Sequence, residues 1–373
     1  MAHAYTPGLR ITDAATLLRE RRLPLKGQVL ARVGDAVSAD QVVARCELPG
    51  NVQTVNLASR LATDPARVAA TLLKPIGSEV EAGEPLAESK SLFGLIRQRV
   101  EAPARGTLES VSGITGQLIL REPPIPVEVN AYVQGRVCEV LPEEGVIVEV
   151  RGAFLQGIFG VGGETSGEIA FAVKGPDQDL TADCLSAEHR GKLVVGGAYV
   201  SHGALMRARE LGVAAVVVGG FDDRDLRELL GRDLGVAITG AEEIGLTLIL
   251  TEGFGRIRMA DRAWELLTRF RGRPASVSGA TQIRAGVMRP EILIPHQDVA
   301  PDAGAASDQG LEVGSLLRVI REPHFGRIGR AVELPPELME LESGARVRVL
   351  MVEFGDDRER ALVPRANVEL IAR

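Results

Sequence analysis

The spacing of apolar residues changes near residue 190, and this change constrains the fold more than any other feature of the chain. Before it, apolar and polar residues alternate in short runs, as in LKGQVLARVGDAVSADQVVARCE (25–47) and VEVNAYVQGRVCEVLPEEGVIVEV (127–150). After it, wholly apolar runs such as 213–218 are separated by amphipathic stretches. Alternation marks strands with one face on a core, whereas unbroken apolar runs between helices mark parallel strands covered on both faces. The expected fold class is therefore multi-domain, mixed β and α/β: a β front, a small parallel-sheet α/β middle and a small β tail. A chain of 373 residues is long enough for two or three separate cores.

The expected boundaries follow from these patterns. Residues 1–23 form an N-terminal arm with a short helix at 12–22, 24–125 a β domain, and 126–175 a β-rich extension with a hairpin at Glu144-Gly145. Residues 190–295 form the α/β domain. Strands are expected at 192–199, 213–218, 235–239 and 246–250, with helices at 201–211, 222–230 and 258–271. The last helix carries Met259, Ala263, Leu266, Leu267 and Phe270 on one stripe. Small, acidic residues with no apolar period make 296–310 a linker, and 311–373 the tail.

Composition narrows the function classes. With 42 glycines, 20 prolines and one tryptophan, the chain is rich in turns and packs on aliphatic side chains. A net charge of -7 argues against coating nucleic acid or an acidic membrane. Cys46, Cys138 and Cys184 are odd in number and far apart, which suits a reducing compartment. Without a run of 18 apolar residues or an apolar leader, a cytoplasmic protein with no membrane contact is expected. His3, His189, His202, His296 and His324 form no ligand pair by spacing, so neither a metal nor a cofactor is expected.

The phrase at 25–47 returns at 72–89 as LLKPIGSEVEAGEPLAES, with Gly77 and Gly83 at turns and Val80 and Leu86 in the apolar slots of Val37 and Val42. Together with Ala102-Pro103 and Gly106, these turns resemble the barrel-sandwich hybrid fold of lipoyl and biotinyl domains over about residues 24–121. The resemblance implies a carrier lysine near Lys90, but SLFGLIRQ (91–98) lengthens that hairpin beyond the family's spacing. It points instead to a degenerate, unmodified module within a larger assembly. GIFGVGGETSG (157–167) lacks the Gly-Lys-Ser/Thr of a phosphate loop and reads as a turn between strands.

In the tail, Gly314, Val319-Ile320, Gly326, Gly329 and VPRANVEL (363–370) resemble the KOW module, an SH3-like barrel. That resemblance implies contact with the ribosome or RNA polymerase. Ten arginines stand against eleven Asp or Glu in 311–373, so protein surfaces suit it better than bare RNA.

In open α/β sheets, ligands bind beyond the carboxyl ends of the strands. The candidate ligand site there comprises Gly196, Gly197, Ser201, His202, Gly219, Gly220, Thr239, Gly240, Thr251, Glu252 and Gly253. Ser201 starts a helix whose free N–H groups and dipole favour a small anion, and His202 beside it is a candidate acid or base. A local basic patch comprises Arg256, Arg258, Arg262, Arg284 and Arg289. Three functions remain open. The leading one is a non-catalytic adaptor for protein or ribonucleoprotein partners, with a small anionic ligand in the middle unit. The others are an enzyme of small-molecule metabolism using the strand-end site, and a carrier modified at Lys90.

Overall fold

The computed structural model describes residues 10–91, 96–222, 225, 244–281, 289–296, 311–319, 321, 323–324, 326–335, 337–340, 346–355 and 359–370. The front strands include β1 (Ile11–Arg22), β2 (Ala36–Val37), β3 (Val42–Leu48), β4 (Glu79–Val80), β5 (Pro85–Ser91), β6 (Ile96–Glu101), β7 (Gly106–Val111), β8 (Gln117–Arg121), β9 (Ile125–Asn130), β10 (Gly135–Leu141) and β11 (Gly145–Gln156). β1 corrects the expectation of a helix at 12–22. It runs antiparallel to β11 from Ile11 opposite Leu155 to Arg22 opposite Gly145. Alternation serves this pairing: Ala15 and Leu17 are buried, and further along the same face Arg19 is bidentate to Glu291 at 2.7 and 2.5 Å. Arg21 is likewise bidentate to Glu164, at 2.8 and 2.7 Å. The tertiary ladder overrides a helical propensity worth only tenths of a kcal/mol per residue.

The front contains one β unit twice, and the second copy is inserted in the first. In one copy, β2 pairs with β10 and β9 pairs with β3. In the other, β4 pairs with β7 and β6 pairs with β5. Matching main-chain bonds show the equivalence. Gly34 N donates to Val137 O at 2.8 Å as Gly77 N donates to Leu108 O at 2.7 Å. Leu30 N donates to Val43 O at 2.8 Å as Leu73 N donates to Leu86 O at 2.9 Å, so the counterpart of Leu86 is Val43 rather than Val42. Val43 and Leu86 are fully buried, whereas Val42 is half-buried. At the neck of the insertion, Glu122 N donates to Asn51 O at 2.9 Å. Each copy keeps its own core: Val37, Val43, Ala131 and Val137 in one, Val80, Leu86, Ala102 and Leu108 in the other.

The middle adds β12 (Phe159–Val161), β13 (Glu164–Phe171), β14 (Leu193–Val195), helix α1 (His202–Leu211), β15 (Ala215–Phe221), β16 (Thr247–Phe254), helix α2 (Asp261–Arg269), β17 (Pro274–Ser278) and β18 (Glu291–Pro295). β13, β14, β15 and β16 are parallel neighbours in that order. β17 joins β13 antiparallel, β18 joins β17, and β11 joins β18, so one sheet runs from the first front unit through the middle. Hydrogen bonding thus crosses the expected boundaries at 23 and 175. The apolar strands explain the two helices. Val194, Val216, Val218, Leu248 and Leu250 pack with Ala204, Leu205 and Ala208 of α1, while Leu193, Val195, Val217 and Ile249 pack with Ala263, Leu266 and Leu267 of α2. All five stripe residues of α2 and its flanks are buried. Gly157, Gly160 and Gly162 lie against the main chain of Leu250, Gly279 and Leu246, and Gly162-Gly163 turn from β12 into β13. The strand expected at 235–239 and most of the helix expected at 222–230 lie outside the described residues.

The tail contains β19 (Leu316–Val319), β20 (Ile328–Glu333), β21 (Arg346–Phe354), β22 (Glu359–Pro364) and β23 (Val368–Leu370), paired antiparallel around Leu317, Val319, Leu350, Val352, Phe354 and Val363.

Candidate functional site

The carboxyl ends of β14, β15 and β16 are where the ligand site was expected, and the structure fills them with the chain's own backbone. Two segments lie across them. The first is the segment 175–180, which ends in a two-residue strand at Asp179–Leu180: Ala198 N donates to Gln178 O at 2.8 Å, and Ser201 N donates to Leu180 O at 3.1 Å. The second is a strap at 255–260, held by Gly255 N to Phe221 O at 2.9 Å, Ile257 N to Ala198 O at 3.2 Å and Met259 N to Pro176 O at 3.0 Å.

The strand-end glycines make room for these segments. A methyl group on Gly196 would stand 2.6 Å from Val218 Cγ1 and 3.0 Å from Leu180 Cβ, and one on Gly197 would stand 2.6 Å from Gly175 O. On Gly219 it would collide with the Ile257 carbonyl oxygen, and on Gly220 with that of Gly255. Gly253 faces the tail, with Gly326 O 2.5 Å from where its Cβ would be. At Gly197, Gly219, Gly220 and Gly253 the close neighbour is main chain, and at Gly196 it is the Val218 and Leu180 side chains.

Thr251 and Glu252 are buried at the end of β16. Thr251 Oγ1 donates to Val218 O at 3.3 Å, tying neighbouring strands. Glu252 uses both carboxylate oxygens: Oε1 accepts from Ala260 N at 3.0 Å, and Oε2 accepts from Arg318 Nη2 at 2.9 Å. Arg318 comes from β19 of the tail, is 1 % exposed, and also donates to Thr251 O at 3.3 Å. The sequence reading omitted Arg318. Set between Leu317 and Val319, this arginine fits the ordinary polar position of an alternating strand, so the sequence alone gives no signal of its burial.

Ser201 is the N-cap of α1, its Oγ accepting from Ala204 N at 3.1 Å. His202 opens the helix and is half-buried. Nearby, Tyr199 Oη donates to Asp225 Oδ2 at 3.5 Å. Burial, aided by the Asp225 and Asp222 carboxylates, pushes the Tyr199 phenol above its ordinary range and keeps it protonated. Thr239 and Gly240 lie outside the described residues.

The basic patch is partly neutralised. Arg256 Nε pairs with Asp179 at 2.8 Å, and its Nη2 donates to Asp177 O at 3.3 Å. Arg258 pairs with Asp261, which holds the Asp261 carboxyl below its ordinary range. Arg262 is exposed in the first turn of α2, Arg289 is half-buried ahead of β18, and Arg284 lies outside the described residues. Lys90 lies within β5 opposite Arg97 of β6.

No group of three His, Cys, Asp or Glu suited to a metal ion occurs among the described residues. No described helix is long and apolar enough to cross a membrane. No protein-family model matches the chain, and no curated protein matches it.

Proposed function

We propose that this protein is a non-catalytic adaptor. Its lipoyl-like front units and KOW-like tail engage protein or ribonucleoprotein partners, with the ribosome and RNA polymerase as the classes the tail's resemblance suggests. The observation that carries this reading is the use made of the α/β unit's carboxyl edge. Where such sheets usually admit a ligand, Gly197, Gly219 and Gly220 take neighbouring backbone, and Glu252 takes the tail's Arg318. The middle unit thereby acts as a platform that positions the front and the tail. A small anion, on this reading, has the open start of α1 at Ser201–Gly203, where a Cβ on Gly203 would meet nothing within 4 Å.

The test uses immobilised full-length protein offered purified ribosomes and purified RNA polymerase in parallel. Retention of one of them is expected. The tail's near-neutral balance predicts weak salt dependence, because few phosphates are neutralised. Retention of neither would overturn the adaptor reading.

A further inference from the structure

Glu252 couples two parts of the molecule through one carboxylate. Oε1 holds Ala260 N, the last amide of the strap, and Oε2 holds Arg318 of the tail. Between Glu252 and Ala260 the chain runs out over Phe221, Ala198 and Pro176, making one hydrogen bond to the carbonyl of each. It covers the backbone of Gly219 and Gly220 as it passes. At the same end of β16, Gly253 meets Gly326, and Phe254 packs 5.2 Å from Phe159 with its Cδ2 2.9 Å from where a Cβ on Gly326 would be.

We propose that Arg318 and Glu252 form an intramolecular latch. Docking of the tail keeps the strap at 255–260 closed over the strand ends, and undocking of the tail releases it. Glu252 is 5 % exposed and Arg318 is 1 % exposed, so water hydrates neither charge, and the buried carboxylate relies on the guanidinium as its cation. When Arg318 leaves, the carboxylate must turn toward water, and that rotation takes its other oxygen away from Ala260 N. The strap then loses its terminal anchor, and three main-chain bonds and the buried Met259 side chain hold what remains of a short segment with a glycine at one end. Tail docking and strap closure are in this way two readouts of a single two-state element. The device does not depend on which partner the tail engages. A partner competing for the β19 face would open the strap, and one binding elsewhere on the tail would leave it shut.

Hydrogen exchange on the full-length protein reads the strap directly, because exchange reports local opening amide by amide. In Arg318→Met, which keeps the side-chain volume, the amides of Gly255, Ile257, Met259 and Ala260 are expected to exchange at least tenfold faster than in the wild type. The amides of Val216 and Val218 in β15 should keep their protection. Wild-type rates in the strap would overturn the latch, whether or not β19 itself loosens. If Arg318→Met unfolds the chain, seen as lost protection in β15, the isosteric Glu252→Gln replaces it. That variant leaves one acceptor oxygen for two donors, Ala260 N and Arg318 Nη2, so one of the two contacts must break, and unchanged strap exchange in it would equally reject the proposal.

Discussion

Gly34 and Gly77, in the two front units, take positive φ (94° and 90°) with open space where a side chain would stand. Gly197, Gly219 and Gly220, in the α/β unit, take no positive φ and instead press against the main chain of another segment. The first pair answers a local need, a turn that left-handed backbone makes tight, and the second group answers a tertiary one. In the front units the glycine is the motif, and it recurs wherever the unit recurs. In the α/β unit the glycines mark where the segment 175–180 and the strap at 255–260 close the strand ends. That closure is what moves the functional reading away from a ligand crevice.

The contrast can be tested by substitution. The largest effect should come from the closure's charged anchor. Arg318→Ala leaves Glu252 buried without its cation and is expected to lower unfolding stability by about 3–5 kcal/mol, measured by urea denaturation. Gly219→Ala comes next, since its methyl must displace the Ile257 carbonyl, and a loss of about 2–3 kcal/mol is expected. Gly77→Ala meets no atom but forces alanine to positive φ, so about 1–2 kcal/mol should be lost. If the two glycine variants were equal, or reversed in order, the distinction between turn and contact glycines would fail. Ser201→Ala removes only a helix cap and should cost about 1 kcal/mol.

The smallest effect concerns pH and separates the two front units. Glu84 Oε2 accepts from Glu81 N at 3.0 Å, where its counterpart Gln41 accepts from Ser38 N at 3.3 Å. A hydrogen bond from Lys74, with the one from Glu81 N, holds the Glu84 carboxyl below its ordinary range. A carboxylate depressed in the folded state stabilises above its unfolded pKa, and that contribution disappears as pH falls through the folded value. Stability should therefore decline on acidification below the ordinary carboxylate range. Glu84→Gln, which imitates the other copy, should flatten part of that decline in denaturation curves taken at successive pH values.

Much of the secondary structure was legible because its causes are local. The Glu144-Gly145 turn, the apolar strands near 193–195 and 215–221, the Ser201 cap and the buried stripe of α2 all follow from neighbouring residues. β1 was not legible: ITDAATLLRERR carries helix-forming residues, and only the ladder with β11 makes it a strand. The nesting of one front unit inside the other was equally hidden, because Gly50 and Glu122 meet across 72 positions of chain. The strand-end glycines were found, but their neighbours were not, since Ile257, Gly255 and Gln178 approach them through tertiary folding alone. Arg318 was missed for the same reason: its partner Glu252 belongs to another unit, and each looks like an ordinary charge in its own segment.

Native mass spectrometry of full-length protein, purified gently from its own cells, separates an adaptor from a metabolite-binding protein. The account predicts a chain of unmodified mass that retains a protein or ribonucleoprotein partner. A chain that retains only a small metabolite, released by Ser201→Ala, would contradict it and return the strand ends to the role of a ligand site.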